Sequence, residues 1–167
     1  KGIKFLCPVP GYDRHFAILE QFGIEMINIP TNENGPDMDM IDELIKDEKV
    51  KGVICVPMYS NPAGITYSDE TVRRFAALKP AAKDFRVIWD NAYCVHHVTD
   101  THDALLNIFA AAKEYGNEDL FIEVSHGPTL VDNNIFLSDH AVKLATQGVA
   151  LVHNIIAGSF TAVGRGV

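Results

Sequence analysis

Two hydrophobic periods alternate along the first three quarters of the chain, and together they predict strands and helices in turn. Short apolar runs are typical of strands buried in a parallel sheet, and they lie at 3–7, 24–29, 52–56, 86–89 and 120–124. Apolar residues at helical spacing fill the intervals, at 13–22, 37–45, 68–79 and 100–112. This alternation indicates βαβ units, so the predicted fold class is α/β, with a mostly parallel sheet flanked by helices.

Capping residues bound these predicted helices. Asp13 is expected to cap the amino end of the first helix, which Gly23 ends. Asp37 or Asp39 opens the second helix and Ser68 the third. The fourth helix is expected to run from Asp100 to Ala112.

The pattern changes near residue 122. No helical stripe is found from 129 to 158, and residues 129–138 are echoed twenty residues later, so that Ile135 aligns with Ile155 and Asn134 with Asn154. That interval suits one turn of a parallel β-helix, where stacked asparagines share hydrogen bonds, although a single hairpin is an open alternative. We therefore predict two domains, an α/β domain at 1–121 and a β-rich tail at 122–167.

Composition narrows the classes of function. The chain has 167 residues, 47% of them hydrophobic and 22% charged, and a formal net charge of -8, which argues against nucleic-acid binding. It contains neither a leader pattern nor an apolar run of the roughly 20 residues that a membrane helix needs. Apolar, strand-like runs stand directly at both ends of the sequence, so we expect the chain to be a fragment of a longer protein. Cys7, Cys55 and Cys94 lack metal-site spacing and are expected to be buried thiols of a reducing, cytoplasmic compartment.

Polar residues follow two predicted strands directly. Asn61 lies in an Asn-Pro-Ala-Gly turn after the strand at 52–56, and Asp90 and Tyr93 follow the strand at 86–89. Ligands of open α/β sheets bind beyond the carboxyl ends of the strands, so these side chains are the candidate site.

Three motifs in this order resemble a known family. Pro-Val-Pro-Gly-Tyr at 8–12, Ser-Asn-Pro-Ala-Gly-Ile-Thr-Tyr at 60–67 and Asp-x-x-Tyr at 90–93 resemble the fold-type I, pyridoxal phosphate-dependent aminotransferases of class I/II, in their aspartate-aminotransferase-like branch. The resemblance covers roughly residues 1–120. It implies pyridoxal 5'-phosphate as cofactor, an amino acid and a 2-oxo acid as substrates, and a homodimeric parent enzyme.

The resemblance also implies roles for four cofactor-binding residues. Asp90 would pair with the protonated pyridine nitrogen, Tyr93 and Asn61 would bind the phenolic oxygen of the ring, and Tyr12 would stack on it. The alternatives are that Asp90 is an N-cap or turn aspartate, that Tyr93 is a core tyrosine, and that Tyr12 is an ordinary tyrosine of a loop after a strand. His96 and His97 lack ligand spacing and are expected at the surface, so no metal site is predicted.

The family's Schiff-base lysine has no counterpart. It would follow the aspartate by about 35–40 residues, and the corresponding residues 125–130 read Ser-His-Gly-Pro-Thr-Leu. Lys143 lies outside this window. We therefore assign no catalytic residue, and we expect weak, non-covalent cofactor binding at best and no transamination by this chain.

Two other functions stay open. The tail resembles segments of β-helical or glycosidase-type carbohydrate-active proteins, although Glu123, Asp132 and Asp139 form no recognisable acid pair. The α/β part could instead be a non-catalytic scaffold. Because a partial domain leaves sheet edges and apolar faces uncovered, self-association is also expected.

Overall fold

The structure is a computed structural model that describes residues 2–124 and, beyond them, the backbone of six short strands. The chain divides into two compact units, Lys1–Val124 and Ser125–Val167, which are described separately. That these units correspond to an aminotransferase part and a tail of different origin stays a prediction.

The first unit is built from alternating strands and helices. In chain order they are β1 (Lys4–Val9), α1 (Asp13–Gln21), β2 (Glu25–Asn32), β3 (Gly35–Pro36), α2 (Met38–Leu44), β4 (Val50–Cys55), α3 (Asp69–Ala76), β5 (Arg86–Asp90), α4 (Ile108–Lys113) and β6 (Phe121–Val124). The strands form one sheet in the order β3-β2-β1-β4-β5-β6. Every pair is parallel except β2 with the short β3, which confirms the predicted α/β class.

An aromatic cluster lies at the centre of the core. Trp89 of β5 is 1% exposed, and its ring meets those of Tyr67, Phe75 and Phe121 edge to face, at centroid separations of 5.9, 5.4 and 6.3 Å. Phe75 belongs to α3 and Phe121 to β6, so the cluster joins helix and sheet. Edge-to-face packing adds to the free energy gained by burying these rings.

Glycine permits the close packing of the central strands. A Cβ atom on Gly52 would lie 2.5 Å from the carbonyl oxygen of Arg86 and 2.7 Å from the ring of Phe5. These separations are shorter than van der Waals contact, so β4 can lie between β1 and β5 in this register only without a side chain here.

Two predicted caps are confirmed and one is wrong. The Asp37 side chain accepts from the Met40 amide at 3.0 Å, and the Ser68 hydroxyl accepts from the Thr71 amide at 3.2 Å. Asp13 does not cap α1, because Tyr12 holds that position and Asp13 lies in the first turn, where its charge still favours the helix dipole.

The helix predicted at 100–112 is much shorter in the structure. It starts at Ile108, because the Asn107 side chain caps it by accepting from the Ala110 amide at 2.9 Å. The preceding residues use their polar groups elsewhere: the Thr99 hydroxyl donates to the Thr101 carbonyl and the Asp103 amide to the Tyr59 hydroxyl. Side-chain bonds of this kind compete with helix formation.

Burial keeps the cysteine thiols protonated. Cys7 and Cys55 are buried, as predicted, and Cys94 is half-buried. Burial raises the pKa of the Cys7 thiol to about 11, and it raises the pKa of Cys55 as well. Burial and then the negative charge of Glu123 raise the pKa of Cys94. All three thiols therefore stay protonated at neutral pH.

The described strands of the second unit pair in parallel, twenty residues apart for two of the three pairs. They are β7 (Leu130–Asp132) with β10 (Ala150–Val152), β8 (Ile135–Leu137) with β11 (Ile155–Ala157), and β9 (Val142–Leu144) with β12 (Phe160–Ala162). Ile135 pairs with Ile155, the offset of the sequence echo. Asn134, Asn154 and Asp139 lie outside the described residues. The resemblance of this segment to carbohydrate-active proteins stays a prediction.

No helix in the described part of the chain is both long and apolar enough to cross a membrane.

Candidate functional site

The candidate site lies at the carboxyl edge of the sheet, where three neighbouring strands end. β1 leads into Tyr12 and α1, β4 leads into the turn segment, residues 57–67, and β5 ends at Asp90 and leads into the exit loop, residues 91–107. Because β1, β4 and β5 are adjacent and parallel, their exits meet at one edge, as the sequence predicts for a ligand site.

Asp90 is a buried carboxylate that contacts a buried histidine. The residue is 9% exposed, and its Oδ2 atom lies 2.8 Å from Nε2 of His15, which is also buried. The other oxygen, Oδ1, is buried and has no hydrogen-bond partner among the described residues. A buried carboxylate oxygen without a donor is costly, so the geometry favours a ligand that brings an N–H to it.

His15 connects this carboxylate with the predicted stacking residue. The Tyr12 ring meets the His15 ring edge to face at a centroid separation of 5.2 Å. The sequence interpretation missed His15. Its only local signal is the spacing of four residues from Leu19, since these two positions form the buried side of α1, whereas Ile18 and Phe22 are 51% and 74% exposed.

The other two predicted site residues contact each other directly. The Asn61 side-chain amide donates to the Tyr93 hydroxyl at 3.3 Å, and both residues are half-buried. Asn61 is held by a closed turn in which the Ser60 amide donates to the Ile65 carbonyl at 2.9 Å and the Ile65 amide donates to the Ser60 hydroxyl at 3.1 Å. Two polar side chains thus face one another across the turn segment and the exit loop.

The structure therefore brings the four predicted residues into two pairs, one of Asp90 with Tyr12 through His15 and one of Asn61 with Tyr93. The first pair supplies a negative charge beside an aromatic ring, and the second supplies neutral donors. This donor set fits a planar, cationic heterocycle that carries an oxygen substituent. The assignment of the four residues to a cofactor stays a prediction.

Of the two histidines predicted at the surface, His96 and His97, only the first is exposed. His96 is exposed, but His97 is half-buried, contacts Tyr59 and stacks on His102. Within residues 2–124, no three His, Cys, Asp or Glu side chains are grouped so that they could hold a metal ion.

Comparison with known proteins gives a consistent result. A family model described as "Aspartate amino-transferase" matches residues 1–129. The aspartate aminotransferase of Corynebacterium glutamicum is 50% identical over 119 residues, which are 71% of this chain and 28% of that protein. The crystal structure of an aspartate transaminase from the same species superposes with a TM-score of 0.73 at 48% identity, covering 75% of this chain and 30% of that one.

A more distant structure shows the same fold. LysN, the alpha-aminoadipate aminotransferase from Thermus thermophilus, was solved with N-(5'-phosphopyridoxyl)-L-leucine; it is 23% identical and superposes with a TM-score of 0.62, over 75% of this chain and 31% of that one. This chain spans less than a third of the length of each of these proteins.

Proposed function

The chain belongs to the aspartate aminotransferase family, and from that premise we propose that its first unit carries the ring-binding part of a pyridoxal phosphate site. The observation that carries the proposal is the Asp90 carboxylate, which is buried and held through one oxygen by His15, while its other oxygen has no donor among residues 2–124. The pyridinium N–H of the cofactor is a donor of the required charge.

Each residue has a physical task in this proposal. The bound cofactor supplies an electron sink for the substrate. Asp90 stabilises the proton on the ring nitrogen by pairing with its charge, and His15 holds the carboxylate in place. Asn61 and Tyr93 donate to the phenolic oxygen of the ring, and Tyr12 covers one ring face.

The chemistry proposed for the whole site is the transfer of an amino group between an amino acid and a 2-oxo acid. The name of the Corynebacterium glutamicum relative supports this substrate class. The covalent lysine is the group that the sequence lacks at the expected spacing, since residues 125–130 contain no lysine. We therefore propose that this chain holds the cofactor weakly and reversibly and does not transaminate by itself.

Titration with pyridoxal phosphate tests this function. We expect a saturable absorbance change between about 330 and 430 nm, since ring burial alters the absorption of the cofactor. Asn61→Ala should weaken binding by about three- to tenfold, the effect of one lost hydrogen bond. Asn28→Ala, at an exposed position of β2, is the matched control and should leave the affinity unchanged. A change that does not saturate, or equal affinities for both variants, contradicts the proposal.

Self-association is the second solution property that we propose. β6 is the last strand of the sheet, and among residues 2–124 no strand pairs with its outer edge. Ile122 and Val124 of this strand are 47% and 41% exposed.

Free, apolar strand edges pair with other chains, so light scattering should show a mean mass that rises with protein concentration. Ile122→Lys should reduce the rise, and Val98→Lys, at a 91% exposed loop position, should not. A constant monomer mass would refute the expectation.

A further inference from the structure

Four hydrogen bonds join the turn segment to the exit loop. One is the bond from the Asn61 amide to the Tyr93 hydroxyl, at 3.3 Å. The other three lie beside it: Tyr59 hydroxyl to His97 Nδ1 at 3.0 Å, Asp103 amide to Tyr59 hydroxyl at 3.0 Å, and Thr66 hydroxyl to Asp103 carboxylate at 2.6 Å. The two segments that present the proposed cofactor donors are therefore cross-linked outside the site as well.

Tyr59 is the centre of this cross-link. Its hydroxyl donates to His97 Nδ1, in the tautomer that carries the ring proton on Nε2, and it accepts from the Asp103 amide. Its ring also meets the His97 ring edge to face at 5.7 Å. The His97 ring also stacks on the ring of His102, at a centroid separation of 3.8 Å and an interplanar angle of 6°. A single side chain thus holds two points of the exit loop.

The backbone of Tyr59 supports a special role. Its φ of 49° is the only positive value of a non-glycine residue among those described. This left-handed conformation is uncommon for an aromatic residue and persists only where surrounding contacts favour it. It directs the Tyr59 side chain across to the exit loop, while Asn61, two residues later, faces Tyr93.

We propose that Tyr59 is a positioning residue that sets the separation of the Asn61 amide and the Tyr93 hydroxyl. Tyr59 lies two residues before Asn61, and His97 lies four residues after Tyr93, so the Tyr59 contacts bracket the donor pair on both segments. The side chains of Asn61 and Tyr93 are both half-buried. Among residues 2–124, no other hydrogen bond joins either side chain to the opposite segment. The functional meaning of this role rests on the proposed pyridoxal phosphate site.

The experiment uses the full chain and the variant Tyr59→Phe, which keeps the ring and removes the hydroxyl. Tyr115→Phe is the matched control, because Tyr115 is 50% exposed and its hydroxyl has no hydrogen bond within residues 2–124. By NMR, Tyr59→Phe should speed hydrogen exchange of the Asp103 amide by about three- to tenfold and should shift the side-chain amide resonances of Asn61. The control should do neither.

A second pair of variants separates positioning from general stability. His97→Asn retains an acceptor near the position of Nδ1 and should keep most of the wild-type Asn61 resonance position, whereas His97→Ala should shift the Asn61 resonances as Tyr59→Phe does. Unchanged Asp103 exchange in Tyr59→Phe would overturn the proposal. Faster exchange with unchanged Asn61 resonances would also overturn it, because Tyr59 would then hold only its own loop.

Cofactor binding provides a readout that distinguishes the two proposals. With pyridoxal phosphate as the probe, Tyr59→Phe should weaken binding by about three- to tenfold and alter the absorbance maximum of the complex, while Tyr115→Phe leaves both unchanged. If the wild-type chain binds no pyridoxal phosphate but the NMR changes occur, the proposed function fails and the positioning of Asn61 by Tyr59 stands. If the wild type binds pyridoxal phosphate and Tyr59→Phe binds it equally well, the positioning role of Tyr59 is refuted while the proposed function stands.

Discussion

Replacing Trp89 by alanine should lower the free energy of unfolding by about 3–5 kcal/mol, the range for deleting a large buried aromatic side chain. Trp89 is 1% exposed and touches aromatic rings from α3, from β6 and from the segment before α3. The cavity left behind would be bounded by Tyr67, Phe75 and Phe121, of which Phe75 is fixed in α3 and Phe121 in β6. Few other single changes would remove as much apolar contact.

Urea unfolding followed by far-ultraviolet circular dichroism measures this loss, because the signal comes mainly from the backbone and is retained when the indole is deleted. Trp89→Phe is the matched variant, since it keeps an aromatic ring in the cluster and should cost markedly less. The loss should also reach the site, because Asp90 is the next residue of β5. A loss below about 1 kcal/mol for Trp89→Ala would mean that the cluster is not the core of this unit.

Asp90→Asn should reduce the affinity for pyridoxal phosphate by at least about tenfold, since a hydrogen bond to a charged group contributes about 1.5–3 kcal/mol. The substitution keeps the shape of the side chain and removes its negative charge. The negative charge is what stabilises a protonated ring nitrogen, and His15 contacts Oδ2, so that Oδ1 is the oxygen without a partner among the residues that the structure describes. A neutral amide at this position can also turn its NH₂ group toward the ring, which would oppose an N–H donor.

Stability separates this effect from a structural one. A buried carboxylate carries a desolvation cost, and one oxygen of Asp90 has no partner in the described part of the chain, so Asp90→Asn should leave the free energy of unfolding nearly unchanged while it lowers affinity. Asp84→Asn is the control, because Asp84 is exposed and pairs with Lys51 at 2.6 Å. That variant should bind pyridoxal phosphate like the wild type. Equal affinities for wild type and Asp90→Asn would refute the role of Asp90.

Much of the first unit could be predicted from local patterns. Short apolar runs lie within β1, β4 and β5, and Ser68 caps α3 ahead of the buried positions Val72, Phe75 and Ala76. Parallel pairing then follows from their alternation with helices, and it places the strand exits at one edge. The turn motif at Asn61 and the aspartate at the end of β5 were predictable because their position relative to the strands is local.

The remaining features depend on contacts between distant residues. His15 and Asp90 are 75 positions apart, and Tyr59 and His97 are 38 apart, so no window of the sequence shows that they meet. The start of α4 depends on competition between helix formation and bonds of the exit loop to Tyr59, which local helical spacing does not reveal. The exposure of Ile18 on α1 and of Phe22 at its carboxyl end likewise reflects which side of the helix meets the sheet.

We propose that this chain carries the ring-binding residues of a pyridoxal phosphate site without a covalent lysine at the expected spacing. The most direct test is to titrate the chain with pyridoxal phosphate, reduce the mixture with borohydride, and locate any adducts by mass spectrometry. We predict saturable binding that dialysis reverses and Asp90→Asn weakens, and, after reduction, only traces of adduct spread over several lysines. A stoichiometric adduct on one lysine, or an affinity that Asp90→Asn leaves unchanged, would contradict the proposed site.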